Sequence, residues 1–177
     1  MTKIILNDKQ FQDNVNKIAE KIFEDNKNID DLAIVGIQNK GVFLAKRIIS
    51  GIAKLANIKE SQIPFGTLDI TLYRDDLDNF GSQMHIIKDT EIPFDINHKN
   101  VVLIDDVLYT GRTVRAALDV LMDFGRPKSI RLAVLIDRGF RELPIEPNYL
   151  GIKYKSQKFI KVTCKESDEV DEVTVEL

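Results

Sequence analysis

The sequence predicts an α/β fold with a mainly parallel central sheet flanked by helices. Leu32-Ala33-Ile34-Val35-Gly36-Ile37, Val101-Val102-Leu103-Ile104 and the stretch from Ser129 to Ile136 are short, largely apolar runs, as strands covered on both faces require. Between them lie segments whose apolar residues recur at helical spacing. Strands that alternate with helices in this way close most readily into a parallel sheet.

From the N-terminus, Ile4-Ile5-Leu6 reads as a short strand, and Asn7 with Gln10 as a capping box that opens a helix. Phe11, Val15, Ile18 and Ile22 make its apolar stripe, to about Asn26. After the strand at 32–37, Gly41 precedes a second amphipathic helix marked by Val42, Ala45, Ile49, Ile52 and Ala53. Residues 67–73 alternate, with Leu68, Ile70 and Leu72 on one face, and read as a strand; residues 74–98 read as a long loop. The strand at 101–104 ends at Asp105-Asp106. A helix with Val114, Ala117, Leu118, Leu121 and Met122 on its stripe follows, closed by Gly125 and Pro127. After Asp137, short strands are expected around Tyr149, 159–162 and 173–175.

At 177 residues the chain is long enough for one well-buried core and too short for two ordinary domains, so residues 1–177 are expected to form a single domain. One cysteine, Cys164, and two histidines exclude an internal disulfide and every multi-cysteine zinc pattern, so any metal must be held mainly by oxygen. Cys164 lies in an apolar run and reads as a packing residue. No apolar run reaches the roughly eighteen residues that cross a bilayer. The N-terminus turns polar too soon for a secretory segment, which predicts a cytoplasmic protein. Net charge is −3 but uneven: residues 105–161 are basic, and Glu166 to Glu176 form an acidic end that reads as a solubilising face.

In an open α/β sheet, ligands bind beyond the carboxyl ends of the strands, so the residues after each buried strand are the candidates. Gly36-Ile37-Gln38-Asn39-Lys40-Gly41 has Walker A glycine spacing, but Val42-Phe43 stands where lysine and serine or threonine are needed. Two readings stay open for it: backbone amides offered to a phosphate, or an ordinary strand-to-helix turn. Asp105-Asp106 places two adjacent carboxylates at a strand end, which is costly unless they are solvated, paired, or bound to a cation or hydroxyls. Thr110-Gly111-Arg112-Thr113 then supplies hydroxyls, a flexible backbone and helix N-terminal amides suited to a monophosphate. Carboxylates beside a phosphate cradle point to a sugar phosphate. A third strand end carries Asp137-Arg138-Gly139.

The segment from Val101 to Thr113 resembles the phosphoribosyl pyrophosphate (PRPP) signature of type I phosphoribosyltransferases. Asp69-Ile70-Thr71-Leu72-Tyr73-Arg74-Asp75-Asp76-Leu77, Gly125-Arg126-Pro127, Leu135-Ile136-Asp137-Arg138-Gly139 and Arg141-Glu142-Leu143-Pro144-Ile145 narrow the match. From about Ile34 to Gly151 the chain resembles the PyrR family of pyrimidine-operon attenuation regulators and uracil phosphoribosyltransferases. The resemblance implies a type I phosphoribosyltransferase fold with a flexible hood loop at approximately 71–90. It also implies transfer of the ribosyl 5-phosphate of PRPP to uracil, giving UMP and pyrophosphate with Mg²⁺. Asp105 and Asp106 would bind the ribose hydroxyls, stabilise positive charge at the anomeric carbon and hold Mg²⁺ through water, with Arg138 as a third catalytic residue. PRPP and UMP would be bound by Asn39, Lys40 and Gly41 of a pyrophosphate loop, by Arg74 of the hood, and by Val107, Leu108, Tyr109, Thr110, Gly111, Arg112 and Thr113. The last five of these would cradle the 5-phosphate. Asp137 and Tyr154 would meet the base. The family usually has Thr-Arg-Gly at 39–41, so Lys40 keeps a cation without the planar fork.

Family members also bind leader RNA in response to UMP, on the surface of a dimer. The resemblance therefore implies leader RNA and further copies of the chain as partners. Glu20, Phe140 and Glu146 stand where the family places histidine, histidine and arginine, and each exchange removes a contact to phosphate or base. Arg126, Lys128, Arg131 and Arg141 read as a remaining basic patch. Two other readings stay open: a phosphoribosyltransferase for another base, because the donor motif does not choose the acceptor, and an RNA- or nucleotide-binding regulator with vestigial activity.

Overall fold

The computed structural model describes residues 1–70 and 90–177, so the expected hood up to residue 89, with Arg74, lies outside the described residues. Strand β1 (Thr2–Leu6) leads into helix α1 (Asp8–Asp25), which opens with the expected capping box. Asn7 Oδ1 accepts the Gln10 amide at 3.0 Å, and the Gln10 side chain accepts the Asn7 amide at 3.1 Å. Strand β2 (Leu32–Ile37), helix α2 (Lys40–Ala56), strand β3 (Phe65–Leu68) and strand β4 (Asn100–Leu108) follow, then helix α3 (Arg112–Asp123). Strand β5 (Ser129–Asp137), strand β6 (Tyr149–Lys153), strand β7 (Ile160–Thr163), the single turn α4 (Lys165–Asp168) and strand β8 (Glu172–Glu176) complete the chain.

Among the described residues, five strands form a parallel sheet in the order β3-β2-β4-β5-β6. The chain steps outward from β2 to β3, then returns to the other side of β2 at β4. Strand order therefore reverses between β2 and β4, the place where sheets of this kind bind ligands. A second, antiparallel sheet in the order β1-β8-β7 joins the two ends of the chain, a pairing that no local pattern announces.

Two apolar clusters cover the two faces of the parallel sheet. On one face α1 and α2 pack with the small sheet, through Phe11, Ile18, Ile22, Ile48, Ile52, Val162 and Val173. On the other, Val114, Ala117, Val120 and Leu121 of α3 cover Val101, Leu103 and Val134. Met122, expected on the α3 stripe, is exposed instead: Leu121 faces the sheet, and the next residue stands about 100° further round the helix. Two strand boundaries also differ from expectation. β3 begins at Phe65 and ends at Leu68, where its parallel pairing with β2 stops at Ile37. β4 does not end at Ile104 but runs through Asp105 and Asp106 to Leu108, because its ladder with β5 continues to Asp137.

The two glycines with Walker-like spacing serve close packing. A Cβ on Gly36 would lie 2.7 Å from the Val42 Cα, and one on Gly41 would lie 2.4 Å from the Ile104 carbonyl oxygen. The first turn of α2 thus rests directly on β4 beside the Asp pair. Gly41→Ala is expected to lower stability by about 1–3 kcal/mol through this overlap, readable as a fall in the urea midpoint with unchanged slope.

Candidate active site

The register brings the strand ends together. Gly36 lies opposite Ile104, Leu108 opposite Asp137, and Asp137 opposite Lys153. Asn39–Gly41, Asp105–Thr113, Asp137–Arg138 and Tyr154 therefore all emerge at one edge of the sheet.

Asp105 is buried and Asp106 half-buried at the end of β4. Each carboxylate accepts the amide that follows it, Asp106 N to Asp105 Oδ1 and Val107 N to Asp106 Oδ1, both at 2.9 Å. Burial pushes the Asp106 carboxyl above the usual range, against the opposing pull of its bond with Asp105, nearby amides and the charge of Lys40. Val107 and Leu108 are the last residues of β4, and their side chains pack into the two opposite clusters, which holds the Asp pair in place.

Beyond Leu108, the chain turns through Tyr109 and Thr110 to Gly111, which caps α3 with φ 94°, a left-handed value that glycine adopts without strain. The first-turn amides of a helix have no intrahelical acceptor, so this N-terminus is suited to an anion. The 139–146 loop packs on this turn. The Glu142 and Leu143 amides donate to the Thr110 carbonyl at 3.0 and 3.2 Å, and Arg112 pairs with Glu142 at 2.6 Å. Arg138 lies under the Tyr109 ring at 3.9 Å. It donates to the carbonyls of Ser156, Gln157 and Lys158 at 3.3, 3.1 and 2.6 Å, so its buried guanidinium ties the loop after β6 to the turn that begins at Tyr109.

At the other side, the Gln38–Asn39 peptide is cis, and Asn39 is the N-cap of α2. The Lys40 ammonium is bound by Ser167 at 2.6 Å and by Asp168, whose carboxyl it holds far below the usual range. About two turns further along the same face of α2, Arg47 forks onto Glu166 and Asp171. The acidic end is thus not merely a solubilising face: three of its carboxylates grip the basic edge of α2. Nothing in their local pattern reveals this, because Lys40 and Asp168 are separated by 127 intervening residues of chain.

Asp137 is buried, accepting the Gly139 amide and pairing with Arg141, both at 2.8 Å. Tyr154 is brought beside it, its amide donating to the Asp137 carbonyl at 2.9 Å, with the ring half-buried against the α1–α2 cluster. Arg141 is missed as a site residue and is no member of a basic patch: its side chain is mostly buried beside Asp137. Arg126 and Lys128 precede β5 and Arg131 lies near its start, about 20 Å from Asp137 at roughly 3.3 Å per residue. Arg131 is itself held by Asp25 at 3.1 Å and by the Tyr149 hydroxyl at 2.8 Å.

The donor set bears on metal binding. Asp105 and Asp106 offer hard oxygen donors without a full protein cage, which fits Mg²⁺ held through water and ligand oxygens. Among the described residues, the one cluster of three close ligand atoms is Cys164, Glu166 and Asp171. It does not fit a cation: burial pushes the Cys164 thiol up to about 12, and Arg47 already occupies both carboxylates.

Comparison with known proteins agrees with this geometry. A family model for the phosphoribosyl transferase domain matches residues 1–167. The Bifunctional protein PyrR of Endomicrobium trichonymphae is 71% identical over 174 residues, covering 98% of both chains. That of Halalkalibacterium halodurans is 48% identical, covering 99% of this chain and 98% of its own. A solved hypoxanthine phosphoribosyltransferase from Trypanosoma cruzi, with ternary substrates, superposes with TM-score 0.75 at 15% identity over 98% of this chain and 94% of its own, a likeness of fold. With its Asp pair, Gly111 turn and strand order in place, the chain belongs to the phosphoribosyl transferase domain family and, within it, to the bifunctional PyrR proteins.

Proposed function

We propose that the protein is a single-domain cytoplasmic uracil phosphoribosyltransferase, converting uracil and PRPP to UMP and pyrophosphate, and a regulator of pyrimidine genes. The observation that carries the enzyme reading is the adjacency of the Asp pair, the Gly111 turn and the α2 N-terminus at the strand-order switch. The first-turn amides of α3 receive the 5-phosphate. Asp105 and Asp106 orient the ribose hydroxyls and stabilise positive charge developing at the anomeric carbon. Asn39, Lys40 and Gly41 face the pyrophosphate, for which the Lys40 ammonium must leave Asp168. Arg138 acts by bracing Tyr109, while Asp137 and Tyr154 shape the base end. Mg²⁺, held through water by the Asp pair, would neutralise charge on the pyrophosphate leaving group.

The regulatory half is supported by Phe140, which is exposed at φ 59°, lies 6.2 Å from the Tyr109 ring and has the Lys155 ammonium 5.3 Å from its centroid. In place of the polar contact that a histidine would make there, the exposed ring with a cation beside it offers a stacking face to an unstacked RNA base. Self-association belongs to the same proposal.

The test is UMP formation from uracil, PRPP and Mg²⁺, run beside cytosine, hypoxanthine, guanine and orotate. Turnover confined to uracil is the expected result. Turnover with another base alone would reassign the acceptor, and UMP binding without turnover on any base would make the protein a nucleotide-sensing regulator.

A further inference from the structure

Arg141 organises the turn on which phosphate binding depends. Its guanidinium is 14% exposed and engaged within its own neighbourhood. Nε donates to the Ile145 carbonyl at 2.7 Å, Nη1 to the Tyr109 carbonyl at 2.9 Å and the Gly139 carbonyl at 3.4 Å, and Nη2 pairs with Asp137 at 2.8 Å and with Glu146 at 3.6 Å. The Tyr109 contact matters most. A trans peptide is planar with its C=O and N–H antiparallel, so a Tyr109 carbonyl held toward Arg141 turns the Thr110 amide the opposite way. The Glu142 and Leu143 amides hold the Thr110 carbonyl in the same manner, which turns the Gly111 amide away from the 139–146 loop as well. Two successive N–H groups so aimed, continued by the first turn of α3, form a concave anion nest.

We propose that Arg141 is a positioning residue that aims the phosphate turn without touching the ligand. It makes affinity for the 5-phosphate depend on the loop that follows β5. The inference rests on the assignment of 109–113 to that phosphate. Lysine keeps the charge of arginine but cannot hold the Ile145, Tyr109 and Asp137 oxygens at once, because it lacks the planar fork.

The measurement is the ratio of UMP to uridine affinity by calorimetric titration, which isolates what the phosphate contributes and cancels changes at the base. Arg141→Lys and Arg141→Gln are expected to lower this ratio by roughly tenfold or more. Glu146→Gln, which disturbs only the 3.6 Å contact of Nη2, is expected to change it by less than about twofold. A ratio unchanged in the Arg141 variants, with the wild type still preferring UMP, would overturn the proposal. A wild type that binds UMP no tighter than uridine would instead overturn the phosphate assignment. Amide exchange in the wild type applies even if both variants melt: UMP, and not uridine, is expected to protect the Thr110 and Gly111 amides, and equal protection by both would sink the inference.

Discussion

Replacing Asp105 and Asp106 together by asparagine is expected to lower kcat/KM for UMP formation by about a thousandfold or more while leaving the fold in place. Both halves of that outcome follow from the end of β4. Each carboxylate accepts the next residue's amide at 2.9 Å, and an asparagine carbonyl can accept the same bond, so the backbone keeps its path. Volume is conserved as well. What disappears is negative charge beside the place where a cationic sugar carbon would develop, in a site walled by buried strand residues where charge acts strongly. Rates of UMP formation, set beside thermal melts of the same preparations, check the pair of expectations. Activity within tenfold of wild type, with melting unchanged, would remove these carboxylates from the chemistry.

Arg47→Met is expected to destabilise the protein by about 3–5 kcal/mol, because it strands a buried carboxylate. Asp171 is 1% exposed and accepts from Arg47 twice at 2.8 Å, from the Lys165 amide at 2.8 Å and from Gln12 at 2.7 Å. Burial alone would push the Asp171 carboxyl up, but these bonds outweigh it and leave it below its ordinary 3.8; Arg47 likewise holds Glu166 below its ordinary 4.5. Groups depressed in the folded state stabilise it fully above their unfolded values and lose that contribution as pH falls through the folded ones. The gap between wild type and variant should therefore be widest near neutrality and narrow below about pH 4. Urea unfolding across pH 3–7 reads it. Arg47→Met combined with Asp171→Leu should recover much of the loss, as removal of both partners of a buried pair commonly does.

Much of this architecture was legible in local patterns. The apolar runs at 32–37 and 101–104 name the sheet, Asn7 and Gln10 name a helix start to the residue, and Asp105 through Thr113 name the turn from β4 into α3 as the candidate site, because strand ends and helix starts impose spacing rules on their own neighbours. Arg141 and Asp168 were not legible in the same way. Their meaning depends on partners that meet only after the sheet has formed: the Tyr109 carbonyl, 31 intervening residues upstream of Arg141, and the Lys40 ammonium at the far side of the chain. Charge pattern alone reads both as surface. The register of β4 against β5 was hidden for a similar reason, since an apolar run does not state where its neighbour stops.

The burial of Cys164 turns the chain's one thiol into a clock. It sits at 0% exposure between β7 and α4, beneath the Arg47 clasp. A thiol-specific reagent can reach it only when that segment opens, and with reclosing faster than labelling, the rate of modification reports the free energy of opening. Because α4 also carries Asp168, the same rate follows how firmly the end of the chain holds Lys40, at single-residue resolution and without any introduced probe.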